Sequence, residues 1–138
     1  MLTLTDELRI GHPVIDNDHQ RLIDIINDFT ERENGHNEPA LLHGTLKSLI
    51  EYAREHFERE QRIQAEAMYP YTEMHKAEHK VLLLQVTEMA KTYFVAKTKP
   101  LDQAAMAELR NLLRHWLIDH VRKFDTNMRE WVAPAKQA

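Results

Sequence analysis

The chain has 138 residues, 43% of them hydrophobic and 29% charged, which is enough apolar material for one folded domain. The absence of cysteine excludes disulfides, cysteine-bound zinc, iron–sulfur clusters and thiol nucleophiles. A net charge of −4, from 18 basic and 22 acidic residues, gives no electrostatic basis for binding nucleic acid. Nine histidines in so short a chain are the compositional outlier.

Targeting signals are absent from the sequence pattern. No stretch reaches the roughly 18 apolar residues that a membrane-spanning helix needs. The first residues, 1–12, lack a basic segment followed by an apolar core, so they do not predict a signal peptide. We therefore expect a cytoplasmic protein with no membrane partner and no nucleic-acid partner.

Apolar residues recur at helical spacing along nearly the whole chain. Tyr69-Pro70 and Thr98-Lys99-Pro100 interrupt this pattern, while Thr72 and Asp102 are candidate N-caps. The predicted helices span about residues 18–33, 39–68, 72–96 and 103–124, and residues 126–131 add a helical turn.

Four long helices with short links predict an all-α fold, the up-down-up-down antiparallel four-helix bundle. We expect one domain over residues 1–138, with an N-terminal arm (1–17), a bundle (18–125) and a short C-terminal tail (126–138).

Each predicted helix carries histidine on its apolar stripe. A single inward histidine is more often a neutral core residue with hydrogen-bond partners than a ligand. Here all four helices bury imidazole, and one of the apolar stripes also carries a carboxylate. No lysine or arginine on these stripes could neutralise it, so the pattern favours a bound cation. The residues concerned are His19, His56, Glu60, His75, His79 and His120.

The spacing of these residues makes the pattern specific. His56 and Glu60 are four residues apart, as are His75 and His79, so each pair shares one helix face. Asp125 follows His120 by five residues, about 140° around a regular helix. Its carboxylate therefore requires a π-type turn or a loosened helix end to join the others.

Five imidazoles and two carboxylates exceed the four ligands of one zinc ion. Calcium and magnesium prefer oxygen ligands. Two first-row transition-metal ions that share the carboxylates would use every group, and iron is the favoured metal.

At this point the sequence resembles the hemerythrins, in particular the stand-alone bacterial type. The likeness runs from residues 10–12 and 15–19 through His56-Phe57 and Tyr69-Pro70 to Trp116-Leu117 and Asp125. It implies reversible O2 binding at a non-haem centre of two iron ions with an oxo or hydroxo bridge. It also implies that His75, His79 and His120 bind one iron and that His19 and His56 bind the other. Glu60 and Asp125 would bridge the two ions.

The iron with two histidines would keep an open position for O2 or a small anion. Apolar residues are expected around it to exclude water, although ordinary core packing explains the same positions. The candidates for this wall are Ile15, Leu49, Phe57, Trp116 and Leu117.

Several positions depart from the hemerythrin pattern. Leu4 stands where many relatives have tryptophan, and Gln61 replaces a second acid after Glu60. Gln64 stands where relatives usually have an apolar residue, often methionine. We expect Gln64 to point into a wet end of the bundle; the alternative is that its amide holds water near the cluster. Outside the motif, His115 is expected to face outward.

Reversible O2 binding, for carriage, storage or sensing, is the leading function, and the chain is not expected to be an enzyme. The alternative is a di-iron enzyme of oxidase, peroxidase or nitric-oxide-reducing type, although such sites are usually richer in carboxylates. A phosphotransfer bundle needs one exposed histidine, which five inward histidines disfavour. A sensor role would require a separate signalling partner. The sequence leaves the oligomeric state open and is compatible with a monomer.

Overall fold

The computed structural model describes residues 2–32 and 39–132, apart from the side chains of residues 117 and 118. The described chain is helical, with no strand in these residues, and the predicted all-α class is confirmed. A 3-10 helix and a short α5 follow the fourth helix. The elements are α1 (Pro13–Arg32), α2 (Pro39–Ala67), α3 (Thr72–Ala90) with a π-helical extension (Lys91–Val95), α4 (Gln103–Arg114) with a π-helical extension (His115–Val121), the 3-10 helix (Asp125–Met128) and α5 (Arg129–Val132).

Contacts between opposite helix ends show that neighbouring helices run antiparallel. Asp18, near the start of α1, contacts His56 in the second half of α2. His43, near the start of α2, packs edge-on against Phe94 beyond the end of α3, with ring centroids 5.0 Å apart. The predicted four-helix bundle is confirmed.

The first helix begins about five residues earlier than predicted, at Pro13. Proline suits the first helical position because its missing N–H is not needed there. The Nδ1 atom of His12 accepts a hydrogen bond from the Val14 N–H at 3.2 Å. The Asp16 carboxylate accepts from the N–H of Gly11 at 3.0 Å, and Gly11 turns the chain with φ of 92°. The predicted end of this helix, residue 33, lies outside the described residues.

The other helix boundaries follow the predicted signals, with one exception. After α2, Met68 adopts a left-handed conformation with φ of 56°, which turns the chain before the Tyr69-Pro70 break. The predicted N-cap at Thr72 is wrong, because its hydroxyl donates to the Tyr69 carbonyl instead. The predicted N-cap at Asp102 is confirmed, since its side chain accepts from the Ala105 N–H.

Two apolar cores lie on either side of the predicted ligands. The main core includes residues of all four long helices, among them Leu22, Leu46, Leu82 and Leu109. A smaller core joins the arm, the turn between α2 and α3, and the tail: Ile10, Ile15, Tyr69, Met128 and Val132. Along α1, for example, the chain passes from Ile15 in the small core through His19 to Leu22 in the main core. Both cores therefore shield the ligands from water.

The arm and the tail are held together at this end of the bundle. The Arg129 guanidinium donates to the carbonyl oxygen of Arg9 at 2.6 Å and to that of Asp6 at 3.0 Å. Residues 133–138 of the predicted tail lie outside the described residues. Among the described helices, none combines the length and the apolar character needed to cross a membrane.

Candidate metal centre

The seven predicted ligands come together in the interior, and each is at most 4% exposed. They form two overlapping groups, and within each group the candidate ligand atoms lie within 4.8 Å of one another. The first group contains three histidines and the second contains two, while the same two carboxylates belong to both. The groups are Glu60, His75, His79, His120 and Asp125; and His19, His56, Glu60 and Asp125.

Glu60 directs its two oxygens to different groups. Its Oε1 atom lies 2.9 Å from Nε2 of His75 and 3.1 Å from Nε2 of His79. Its Oε2 atom lies 2.8 Å from Nε2 of His56. One carboxylate thus reaches both histidine groups through separate oxygen atoms.

Asp125 divides its oxygens in the same way. Its Oδ1 atom lies 2.7 Å from Nε2 of His75 and 3.1 Å from Nε2 of His120. Its Oδ2 atom lies 2.9 Å from Nε2 of His19. The two carboxylates therefore lie side by side between the three-histidine group and the two-histidine group, as bridging ligands would.

Local helix geometry explains how Asp125 reaches the cluster. The chain is π-helical over His115–Val121, which alters the register just before and at His120. The Phe124 N–H donates to the His120 carbonyl at 2.8 Å, and a 3-10 helix begins at Asp125. The structure thus contains both the π-type segment and the loosened helix end that the five-residue spacing predicted.

The polar atoms at the centre fit a metal better than a hydrogen-bond network. Several lie close to another polar atom of the cluster yet make no hydrogen bond with any described group. These buried atoms are Nε2 of His19, His56, His79 and His120, both carboxylate oxygens of Glu60, and Oδ2 of Asp125. Imidazole with carboxylate is a donor set that suits first-row transition metals.

The two carboxylates hold negative charge in the cluster. Burial and the neighbouring Asp125 would raise the pKa of Glu60, but the adjacent histidines hold it well below its ordinary value. Burial would lower the pKa of His75, yet the adjacent carboxylates of Asp125 and Glu60 raise it to about 10. Because a ligating imidazole must be neutral, a bound metal would displace a proton from His75.

Asp18 and Arg59 support His56, and sequence reasoning missed both. Asp18 Oδ2 lies 2.9 Å from Nδ1 of His56, while Nε and Nη2 of Arg59 donate to Asp18 at 2.8 and 2.6 Å. Burial would raise the pKa of Asp18, but the hydrogen bonds from His56 and Arg59 lower it to about 2. An ionised Asp18 fixes the His56 ring with Nε2 toward the cluster. A sequence signal was available: an acid directly before His19 and an arginine three residues after His56.

Aromatic rings pack directly against the ligands. Phe57, a predicted wall residue, stacks on His79 with ring centroids 3.8 Å apart and planes 5° from parallel. Trp116 is buried behind it, 5.7 Å from the Phe57 ring. Sequence reasoning missed Tyr52, which stacks on His56 at 5.3 Å, and Phe124, which stacks on His120 at 5.5 Å.

The remaining predicted wall residues divide between the two cores. Ile15 is fully buried in the small core and Leu49 is fully buried in the main core. The Leu117 side chain lies outside the described residues, so its place in the wall stays a prediction.

The expected orientation of Gln64 is wrong. Its side chain is fully buried rather than directed into a wet end of the bundle, and its Nε2 atom lies 3.0 Å from Nδ1 of His75. Spacing alone cannot pair Gln64 with His75, because the contact crosses from α2 to α3. His115 faces outward as predicted, with its ring contacting Asp119 at 3.0 Å.

Known proteins are similar in sequence to this chain. The sequence profile of the hemerythrin HHE cation binding domain matches residues 11–132. A bacteriohemerythrin of Pseudomonas aeruginosa (strain LESB58) is 32% identical over 124 residues, which cover 90% of this chain and 76% of that protein. A bacteriohemerythrin of Stenotrophomonas maltophilia (strain R551-3) is 31% identical over 125 residues, 91% of this chain and 77% of that protein.

A solved structure agrees at the level of the fold. The crystal structure of a wild-type hemerythrin superposes with a TM-score of 0.75 at 21% identity, covering 97% of this chain and 98% of the other. The profile match and the bacteriohemerythrin relatives show that the chain belongs to the hemerythrin family.

Proposed function

We propose that the chain binds O2 reversibly at two iron ions held by the seven buried ligands. The observation that carries the proposal is the division of the Glu60 and Asp125 oxygens between a three-histidine group and a two-histidine group. Iron supplies the reversible redox chemistry that O2 binding requires. Protein residues would supply neutral imidazoles, two bridging carboxylates and a buried interior.

Ligand counting supports a binding site on the two-histidine side. Three histidines, two carboxylate oxygens and one solvent-derived bridge would complete six positions around one ion, whereas His19 and His56 leave the other ion with five. One position is thus free for O2 or a small anion. Phe57 and Tyr52 pack against this region and limit the access of water, which would promote irreversible oxidation.

The composition of the site favours binding over catalysis. Five histidines with two carboxylates differ from the carboxylate-rich sites of oxygen-activating di-iron bundles, which pair Glu-x-x-His motifs. Carriage, storage and sensing share this chemistry, so we propose reversible binding as the common activity.

The test is an oxygenation cycle followed by visible absorption. The iron-loaded protein is reduced with dithionite, separated from the reductant, exposed to air and then flushed with argon. We expect an absorption band that appears in air and disappears under argon through repeated cycles. A band that never forms, or steady O2 consumption with added reductant and no stable oxygenated form, would contradict the proposal and favour the enzyme alternative.

A further inference from the structure

Gln64 is a buried polar side chain beside the cluster that belongs to neither the ligand set nor the charged support of His56. It is fully buried on α2, one turn beyond Glu60. Its Nε2 atom lies 3.0 Å from Nδ1 of His75 and 3.0 Å from the sulfur of Met128. Its Oε1 atom is buried with no hydrogen-bond partner among the described residues. A buried amide with an unused acceptor is costly, by about 1–3 kcal/mol, so this position calls for an explanation.

The chemistry of a ligating histidine supplies that explanation. A ring that binds a metal through Nε2 carries its proton on Nδ1, and this N–H needs an acceptor. His75 directs Nε2 toward Glu60 and Asp125, so its Nδ1 faces Gln64. A primary amide can present either its oxygen or its nitrogen to the same neighbour after a half turn.

We propose that Gln64 is a positioning residue for His75: its Oε1 atom accepts the Nδ1–H and holds Nε2 toward the metal. This inference rests on the proposed di-iron site. A half turn of the amide gives Oε1 the partner it lacks. The NH2 group then leaves His75 and the Met128 sulfur, a weak acceptor, and takes the buried place that Oε1 held. The support of His75 is then a neutral amide, whereas that of His56 is the ionised carboxylate of Asp18.

The two histidine groups thereby receive different electrostatic support. A carboxylate behind an imidazole increases its basicity more than an amide does. The amide mainly fixes the ring orientation and the tautomer of His75, and it adds no negative charge to the three-histidine side. An apolar residue of similar length at position 64 would fill the space but would leave the Nδ1–H without an acceptor.

Two substitutions separate hydrogen bonding from packing. Gln64→Met keeps a side chain of similar length and removes the acceptor, whereas Gln64→Glu keeps an acceptor. Gln61→Met is the matched control, because Gln61 lies on the same helix and is partly exposed. Each variant is loaded with ferrous iron without air, and its affinity for iron is measured by competition with a ferrous chelator. Thermal unfolding of the iron-free proteins reports any purely structural effect.

We expect Gln64→Met to weaken iron binding by about 10–100-fold, the range for loss of a hydrogen-bond partner of a ligand. Its iron-free form should unfold no earlier than the wild type, because an apolar side chain replaces a buried amide. Gln64→Glu and Gln61→Met should bind iron within a few-fold of the wild type. Wild-type affinity in Gln64→Met, or an equal loss in Gln64→Met and Gln64→Glu, would overturn this inference alone. A wild-type chain that holds no iron would overturn the proposed function as well.

Discussion

At the scale of single residues, five buried imidazoles are tolerated because each Nε2 faces a carboxylate oxygen and is available to a metal. Loss of one ring would remove a candidate ligand and leave the buried carboxylate oxygen that it faces without that polar partner. Glu60 and Asp125 are the most sensitive positions, because each contacts both histidine groups.

His79 and His115 offer a matched pair of histidine substitutions. His79 is buried in the three-histidine group, whereas His115 is partly exposed outside both ligand groups and pairs with Asp119. We expect His79→Ala to lower iron content and to cost about 1–3 kcal/mol of unfolding free energy in the loaded protein. His115→Ala should leave both quantities unchanged. Metal analysis and chemical denaturation check this, and full iron content in His79→Ala would remove His79 from the ligand set.

Much of the site could be predicted at this scale. The i, i+4 pairs and the inward stripes indicated six of the ligands, and the five-residue spacing after His120 indicated Asp125. The structure brings all seven together, although their binding of a metal stays a prediction. The support from Asp18, Arg59 and Gln64 could not be predicted in the same way. Each of these contacts crosses between helices and depends on side-chain direction rather than on spacing.

At the scale of the elements, helix ends determine how the ligands meet. The π-helical segment His115–Val121 accommodates the five-residue spacing between His120 and Asp125. The spacing of these two residues was therefore enough to predict a departure from regular α-helical geometry. The early start of α1 at Pro13 was missed, because it depends on hydrogen bonds that the side chains of His12 and Asp16 accept from backbone N–H groups in the folded turn. Apolar periodicity carries no information on such contacts.

The N-cap of α4 provides a test that is separate from the metal. The Asp102 side chain accepts a hydrogen bond from the Ala105 N–H at 3.2 Å, far along the chain from the ligands on this helix. Asp102→Ala should lower the unfolding free energy by about 0.5–2 kcal/mol, whereas Asp102→Asn should retain most of the stability. Iron content should be that of the wild type in both variants. Equal unfolding midpoints for Asp102→Ala and the wild type would show that the cap contributes nothing.

At the scale of the whole molecule, the bundle places a polar cluster between two apolar cores. The small core closes one end, where Arg129 joins the tail to the arm, and the main core fills the other. Such an interior favours an ion that neutralises the carboxylates and occupies the free nitrogen lone pairs. Metal binding and folding are therefore expected to be coupled, with the iron-loaded chain unfolding at a higher temperature than the iron-free chain.

The central claim is that the two overlapping ligand groups bind two iron ions, and iron stoichiometry tests it most directly. Protein produced with iron available, freed of loosely bound metal by gel filtration, is analysed for iron, zinc and protein concentration. The account predicts close to two iron atoms per chain, one for each ligand group. A single zinc ion per chain, or a colourless protein without iron, would contradict it.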